Sequence, residues 1–367
     1  AAGERLVLVR WRLEGAAPTV PHPLADEIAA RFAGALTPCA ATSEAVLAGA
    51  APVAAVVSDR APAGPIAPRP LFRVEPGTIT IDALSPSSLE KLLGCPVAWV
   101  LERTAGLRRR GMARIPSGSR LLGTFAHAIL ADLLDGKEKL DLRTATPDDA
   151  AAWAERSFDA RVPSEAAPLV ARGADVERHR ARDVVRGAAR ALFAALQAGG
   201  WSVRGAETPL EGELDGSPVA GTADLVVEKE GRAAVLDLKL AKAKYFREKL
   251  ENGEALQLAV YADLLKRSAS VPPTAYFLLA QGELLTVDAG AFPGARELAG
   301  PTMSETLERA REALAFWRDA LAKGVVVPRD EARRDEALLE AGEAVGRTAP
   351  QAGPGGAEPP CRFCDFG

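Results

Sequence analysis

Two short polar motifs at the ends of neighbouring predicted strands constrain this chain more than any other feature. They are Gly221-Thr-Ala-Asp224 and Leu236-Asp-Leu-Lys239, and Asp237 lies 13 positions after Asp224. Because side chains alternate along a strand, Asp237 and Lys239 should share one face while Leu236 and Leu238 enter the core. The surrounding sequence predicts short strands over 201–208, 210–214, 219–228 and 232–239, with a turn at Gly205.

Helical patterns flank these strands on both sides, so the sequence predicts a mixed α/β fold. The segment Ser85-Pro86 places a capping serine before a proline at the first helical position, which is typical of a helix start. A further strand is expected over 78–84. The predicted helices cover 86–93, 96–104, 121–135, 148–160, 175–198, 249–267, 302–323 and 329–344. Strands are also expected over 274–280 and 283–288, and the segment 148–198 has the composition of a helical insert.

The acids at the strand ends suggest a metal-binding function. Two carboxylates that face each other across a hairpin can hold a divalent cation, and the lysine then stands beside the attacking water. The alternative for Asp237 and Lys239 is a solvated strand end with an ion pair two residues apart. Taken alone, the two residues fit either interpretation.

Three further polar side chains lie in predicted helices. His127 lies away from the centre of its helix's apolar stripe and has small neighbours one turn away, Gly123 and Ala131. That leaves room for a ligand, although a surface histidine fits the same pattern. Gln257 and Tyr261 are one turn apart on one face. They either contact phosphates and brace the strands or belong to an ordinary amphipathic helix.

The charged residues and the cysteines narrow the possible partners. The net charge of −4 excludes a generally basic coat for nucleic acid but allows local basic patches. Two such patches are Arg108-Arg109-Arg110 and the group Lys242, Lys244 and Arg247, although short basic runs are often only solvated loops. Four cysteines do not make a disulfide scaffold. Cys361 and Cys364 form a C-x-x-C motif, typical of a metal, cluster or redox element, and free thiols are the alternative.

Several functional classes are excluded by features that the sequence lacks. No apolar run approaches the ~18 residues that a membrane-spanning helix requires. No secretory signal precedes the first predicted strand, over 4–10, and no phosphate-binding G-x-x-x-x-G-K-[ST] loop is present in these residues. We therefore expect a protein of the cytoplasm without membrane contact, and any ATPase would lie upstream or in a partner.

Taken in order, the motifs resemble the PD-(D/E)XK nuclease domain of the RecB/AddB family, from about Leu84 to the C-terminus. The matching segments are 84–96, Gly123…His127, Gly221…Asp224, Asp237-Leu-Lys239 and Gly253…Tyr261. The resemblance implies a restriction-endonuclease-like core, with a mixed central sheet flanked by helices and a helical insert. It also implies three segments: 1–76 as the tail of a helicase-like module and linker, 77–344 as the nuclease domain, and 345–367 as a linker and cysteine segment.

The same resemblance implies roles for the polar residues. Asp224, Asp237, Lys239, Gln257 and Tyr261 would form the catalytic set. His127, Asp224, Asp237 and the Leu238 carbonyl would hold Mg²⁺ or Mn²⁺. Glu207 resembles an acid at the family's strand entry, without an assigned role. The two basic patches would bind DNA, the patch after Lys239 being the stronger candidate.

A [4Fe–4S] cluster is a further implication of the AddB resemblance. Cys95, Cys361 and Cys364 match three of its four ligands, and a fourth ligand is not visible in this chain. Cys39 is a less favoured substitute. Zinc is the alternative occupant.

The implied activity is a metal-dependent deoxyribonuclease, an exonuclease within an AddB-like helicase–nuclease. Such a subunit would process DNA ends in double-strand break repair and recombination with an AddA-like partner. One alternative is a free-standing Fe–S single-strand exonuclease of the CRISPR-associated type. Another is a catalytically inactive DNA-binding or scaffold domain, which the intact Asp224, Asp237 and Lys239 disfavour.

Overall fold

The computed structural model describes residues 13–14, 17–18, 72–107, 118–266, 271–328 and 334–346. The chain divides into two compact units, residues 1–68 and 69–367. In the first unit the described part is an antiparallel pair of two-residue strands, β1 (Leu13–Glu14) and β2 (Ala17–Pro18). The predicted strand over 4–10 lies outside the described residues.

A six-stranded mixed sheet forms the centre of the second unit. Its order is β4-β5-β6-β7-β8-β9, antiparallel except for the parallel pairs β6–β7 and β8–β9. The strands are β4 (Ser202–Leu214), β5 (Ser217–Lys229), β6 (Arg232–Lys239), β7 (Thr274–Leu278), β8 (Glu283–Thr286) and β9 (Arg296–Glu297). A separate antiparallel pair joins β3 (Phe72–Arg73) to β10 (Val325–Val326).

Helices cover both faces of this sheet. They are α1 (Pro86–Gly94), α2 (Pro96–Arg103), α3 (Gly118–Asp135), α4 (Pro147–Glu165), α5 (Asp175–Gly199), α6 (Ala243–Glu251), α7 (Leu256–Leu265), α8 (Met303–Ala322) and α9 (Arg334–Val345). Within the described ranges, no helix combines the length and apolar character needed to cross a membrane. The predicted mixed sheet with flanking helices and a helical insert is therefore confirmed.

Two apolar cores lie on opposite sides of the sheet, and successive residues of β6 contribute to different cores. Val235 packs in the core formed with α1, α7 and α8, whereas Leu236 packs in the core formed with α3, α4 and α5. This alternation follows from the two-residue period of a strand. The central strands β6 and β7 are thus buried on both faces along most of their length.

Side-chain caps fix the starts of several helices as the sequence indicates. Ser85 Oγ accepts the Ser88 N–H at 3.1 Å at the start of α1. Thr146 and Thr302 form capping boxes with the acids three residues later, at the starts of α4 and α8. Each cap satisfies N–H groups that have no partner within their helix.

The structure corrects three of the predicted elements. Residues 202–214 form one strand, and Gly205 lies at a register shift within it instead of in a turn. The predicted strand over 78–84 is absent, because only Leu84 forms a bridge, to Val219. The predicted helix over 249–267 is two helices, α6 and α7, which separate at Gly253, a residue with φ of 68°.

Candidate metal and active site

The polar motifs meet where β5 and β6 stop pairing. The antiparallel ladder between these strands reaches Leu225 opposite Leu236. Immediately beyond it, the carboxylate of Asp224 accepts the backbone N–H of Leu238 at 2.7 Å. An oxygen of the Asp224 side chain therefore accepts a backbone N–H directly beyond the last residue pair of the β5–β6 ladder. This contact holds the Asp224 carboxylate in the fork between the two strands.

Three potential metal ligands converge on this fork. His127, Glu207 and Asp224 each present one ligand atom, and these atoms all lie within 4.8 Å of one another. His127 Nδ1 lies 3.7 Å from Asp224 Oδ2. Helix α3 provides the histidine, and β4 and β5 provide the two acids.

Glu207 reaches this cluster because of an irregularity in β4. The register shift lies between Val203 and Gly205, after which Ala206 pairs with Leu225 and Thr208 with Ala223. Glu207 therefore stands opposite Asp224 on the neighbouring strand. Its φ of 45° is left-handed, which is rare for a residue other than glycine and often found at functional sites.

Asp237 is the most deeply buried acid of the site. Its side chain is 0% exposed, and Lys239 Nζ lies 2.6 Å from its Oδ2. The predicted shared face of these residues is therefore confirmed. The Lys239 ammonium is held against Oδ2 as a close ion pair, and neither carboxylate oxygen has a hydrogen bond of good geometry among the described residues. Buried oxygens without such hydrogen bonds are costly, and a cation would satisfy them.

Burial changes the pKa values of the site's ionisable groups. It raises the pKa of Asp237 to about 7, against the opposing attraction of Lys239. Burial also raises the pKa of Asp224 and, together with the positive charge of Lys239, lowers the pKa of His127. The two acids outweigh the desolvation of Lys239, so the pKa of the lysine is raised. At neutral pH the imidazole is thus neutral and able to bind a metal, while the lysine is charged.

Gln257 and Tyr261, on α7, lie beside β5 and not among the metal-ligand atoms. The Tyr261 hydroxyl donates to the Thr222 carbonyl at 2.7 Å, two residues before Asp224. Gln257 Nε2 lies 3.4 Å from the same hydroxyl. Gly221 permits this approach, because a Cβ there would lie 2.8 Å from the Tyr261 ring. The pair therefore braces the strand that carries Asp224.

The remaining predicted site residues are distributed around this centre. Lys242 precedes α6, and Lys244 and Arg247 lie on it; the lysines are exposed and the arginine is half-buried. Cys95 is half-buried between α1 and α2. Arg108, Arg109, Arg110, Cys361, Cys364 and Cys39 lie outside the described residues.

The donor set fits a hard divalent cation. Carboxylate oxygens and a neutral imidazole suit Mg²⁺ and Mn²⁺, and the buried carboxylate of Asp237 adds a further acceptor group beside the three-residue cluster. Sequence reasoning gave Glu207 no role because its position depends on the β4 register shift. The sequence did offer one signal for a role of Glu207, which is an acid on the strand before the one that carries Asp224.

Buried acids, a paired lysine and a histidine thus meet at the fork of a mixed sheet, and such a donor set could hold a divalent cation that activates a phosphate and a water. The model of the PD-(D/E)XK nuclease superfamily matches residues 83–367. The chain belongs to this superfamily, and its core is restriction-endonuclease-like. The superfamily assignment indicates a nuclease, a hydrolase of phosphodiester bonds. A search of curated proteins found no match.

Proposed function

We propose that this domain is a DNA nuclease that depends on Mg²⁺ or Mn²⁺. The observation that carries the proposal is the fully buried Asp237, whose carboxylate is paired with Lys239 beside the His127–Glu207–Asp224 cluster. A structural ion pair alone would not require a second, separate group of ligand atoms at the same place.

The cation would be held by His127, Glu207, Asp224 and Asp237, with the Leu238 carbonyl as a further oxygen donor. When bound, it supplies Lewis-acid activation of the phosphate and a water nucleophile at neutral pH. The Leu238 backbone is already positioned for this role, because its N–H donates to Asp224 and its backbone also interacts with His127.

Lys239 acts as a positive charge and not as a base. In the metal-free protein the acids that surround it raise its pKa, so it is protonated at neutral pH. In that form it orients the attacking water by donating hydrogen bonds, and it stabilises negative charge that develops on the phosphate. Tyr261 and Gln257 are positioning residues, because Tyr261 acts on Asp224 through the Thr222 carbonyl.

We further propose that the domain is the exonuclease of an AddB-like helicase–nuclease subunit in the cytoplasm. Together with an AddA-like partner, this subunit would process DNA ends in break repair and recombination. The order of the motifs supports it. Cys95, Cys361 and Cys364 would bind a [4Fe–4S] cluster. Near Cys95, the Val97 N–H donates to the Val327 carbonyl at 3.4 Å, so this cysteine lies close to the segment that follows β10 on the C-terminal side of the core.

Degradation of end-labelled linear DNA tests the activity. The protein is prepared without oxygen and assayed with Mg²⁺, Mn²⁺ or EDTA, and compared with Asp237→Ala. The matched control is Asp183→Ala, which removes an acid 67% exposed on α5. We expect cleavage that requires a cation and is lost in Asp237→Ala alone. DNA binding without cleavage by the unaltered protein would contradict the nuclease and favour the scaffold alternative.

The cluster is tested separately. Iron content and visible absorbance of the anaerobic protein are compared with those of Cys95→Ser. We expect the iron to be lost in the variant. Equal metal content in both proteins, or zinc in place of iron, would contradict the [4Fe–4S] assignment while leaving the nuclease proposal in place.

A further inference from the structure

An exposed aromatic ring lies close to the site. Tyr245 is in the first turn of α6, six residues after Lys239, and is 40% exposed. A single exposed aromatic side chain is unremarkable by itself. The packing around this one, its position relative to Asp237 and its charged neighbours together suggest a role in binding.

The ring of Tyr245 is held rigidly from the protein side. The Phe246 ring meets it edge-on, with centroids 5.1 Å apart. Lys249 Nζ lies 5.5 Å from the Tyr245 centroid, and Glu90 fixes that ammonium at 3.0 Å. Lys249 is only 8% exposed, so this arrangement is built into the fold. A ring that is already fixed loses little conformational entropy when a ligand stacks on it.

Packed aromatic rings connect Tyr245 to the catalytic strand. Phe246 also packs on Tyr276, with centroids 4.9 Å apart. Tyr276 is the register partner of Asp237 across the parallel pair of β6 and β7. Tyr245 is therefore two ring contacts away from the neighbour of Asp237. Packed side chains thus link the exposed ring to the strand pair that carries Asp237.

Positive charge flanks the exposed ring. Lys242 is exposed at the start of α6, and the Lys244 side chain is 82% exposed. Lys244 has one acidic neighbour, Glu248, at 3.6 Å, and such an exposed pair is weak. An aromatic face between cations suits a single strand, whose bases stack on aromatic side chains while lysines attract its phosphates. In a duplex, the faces of internal bases are already stacked on each other.

We propose that Tyr245 stacks on a base of single-stranded DNA that leads into the site, while Lys242 and Lys244 contact the flanking phosphates. This inference rests on the proposed nuclease function and specifies its substrate as a single-stranded end. Double-stranded DNA lacks an accessible base face at this position and gains only the contribution of the lysines.

Equilibrium binding in EDTA tests the proposal without cleavage. Fluorescence anisotropy measures the affinity for a labelled single-stranded oligonucleotide and for a blunt duplex of equal length. Tyr245→Leu keeps apolar bulk against Phe246 but removes the aromatic face, Tyr245→Phe keeps that face, and Phe72→Leu changes a residue that is 43% exposed on β3. We expect Tyr245→Leu to weaken single-strand binding about tenfold and duplex binding by less than about twofold. The other two variants should bind like the unaltered protein.

A base analogue reports stacking directly. The fluorescence of 2-aminopurine in the single strand should be quenched by the unaltered protein and by Tyr245→Phe, but not by Tyr245→Leu. If Tyr245→Leu fails to fold, absence of quenching by the unaltered protein overturns the proposal. Unchanged single-strand affinity of a folded Tyr245→Leu, or an equal loss for both DNA forms, also overturns it. The binding and fluorescence assays contain no metal, so they do not depend on cleavage. Stacking in these assays together with no cleavage in the DNA degradation assay would contradict the nuclease proposal but not the stacking proposal.

Discussion

The replacement Asp237→Asn should remove the pH dependence that the buried acid gives to folding. Burial raises the pKa of Asp237 from 3.8 to about 7, so the folded protein retains a proton that the unfolded chain releases at lower pH. A raised folded-state pKa gives stability that is complete below the unfolded pKa and is lost as pH rises through the folded pKa. Between about pH 4 and pH 7, the metal-free protein should lose stability relative to the variant.

The size of this loss follows from the two pKa values. The slope is about 1.4 kcal/mol per pH unit, which amounts to roughly 4 kcal/mol by pH 7 and levels off above it. Asp237 is 0% exposed, so solvent screening does not reduce this figure, and the attraction of Lys239 is already included in the pKa. Asparagine mimics the protonated acid, so Lys239 faces a neutral partner in the variant, as in the unaltered protein at low pH.

Urea unfolding in EDTA at several values between about pH 5 and pH 8 gives the two free energies of unfolding. We expect the difference between variant and unaltered protein to grow with pH in favour of the variant. Parallel pH profiles would refute the reasoning, because they would mean that Asp237 ionises in the folded protein as readily as in the unfolded chain.

Three further predictions concern the surroundings of Asp237. Gly221→Ala places a Cβ 2.8 Å from the Tyr261 ring and should lower the free energy of unfolding in urea by about 1–3 kcal/mol. Its control, Gly187→Ala, adds a Cβ in open space inside helix α5 and should raise that free energy by up to about 1 kcal/mol. Glu207→Gln should reduce the thermal stabilisation by Mn²⁺, which Glu211→Gln, at an exposed position of the same strand, should leave unchanged; equal shifts would exclude Glu207 as a ligand. Tyr261→Phe, which removes the hydrogen bond to Thr222, should lower kcat about tenfold with little change in KM, and an unchanged kcat would contradict its positioning role.

The strands and helices with strong local signals could be predicted from the sequence. Strand β6 has the predicted bounds, and the shared face of Asp237 and Lys239 follows from alternation alone. The break between α6 and α7 was missed although the polar run Glu251-Asn-Gly-Glu254, with its left-handed Gly253, marked the position. Pattern and local propensity thus gave the elements, but not every boundary.

The site was harder to predict where it depends on register. The role of Glu207 requires one extra residue in β4, which the sequence of that strand does not announce. The complete burial of Asp237 also depends on packing on both faces of the sheet, whereas the motif alone equally fitted a solvated strand end. Contacts between distant segments decide both features, and no local pattern contains them.

The pairing of β3 with β10 has a consequence for how the unit can be joined to other proteins. Phe72 lies opposite Val326, so the chain enters and leaves this part of the fold side by side. A host loop of another protein could receive the whole segment without being stretched, since the loop-closure cost depends on the distance between its two ends. An insertion of this segment into a larger protein would also have to carry α9, which follows β10 and buries Ala341 in the core shared with α1, α7 and α8.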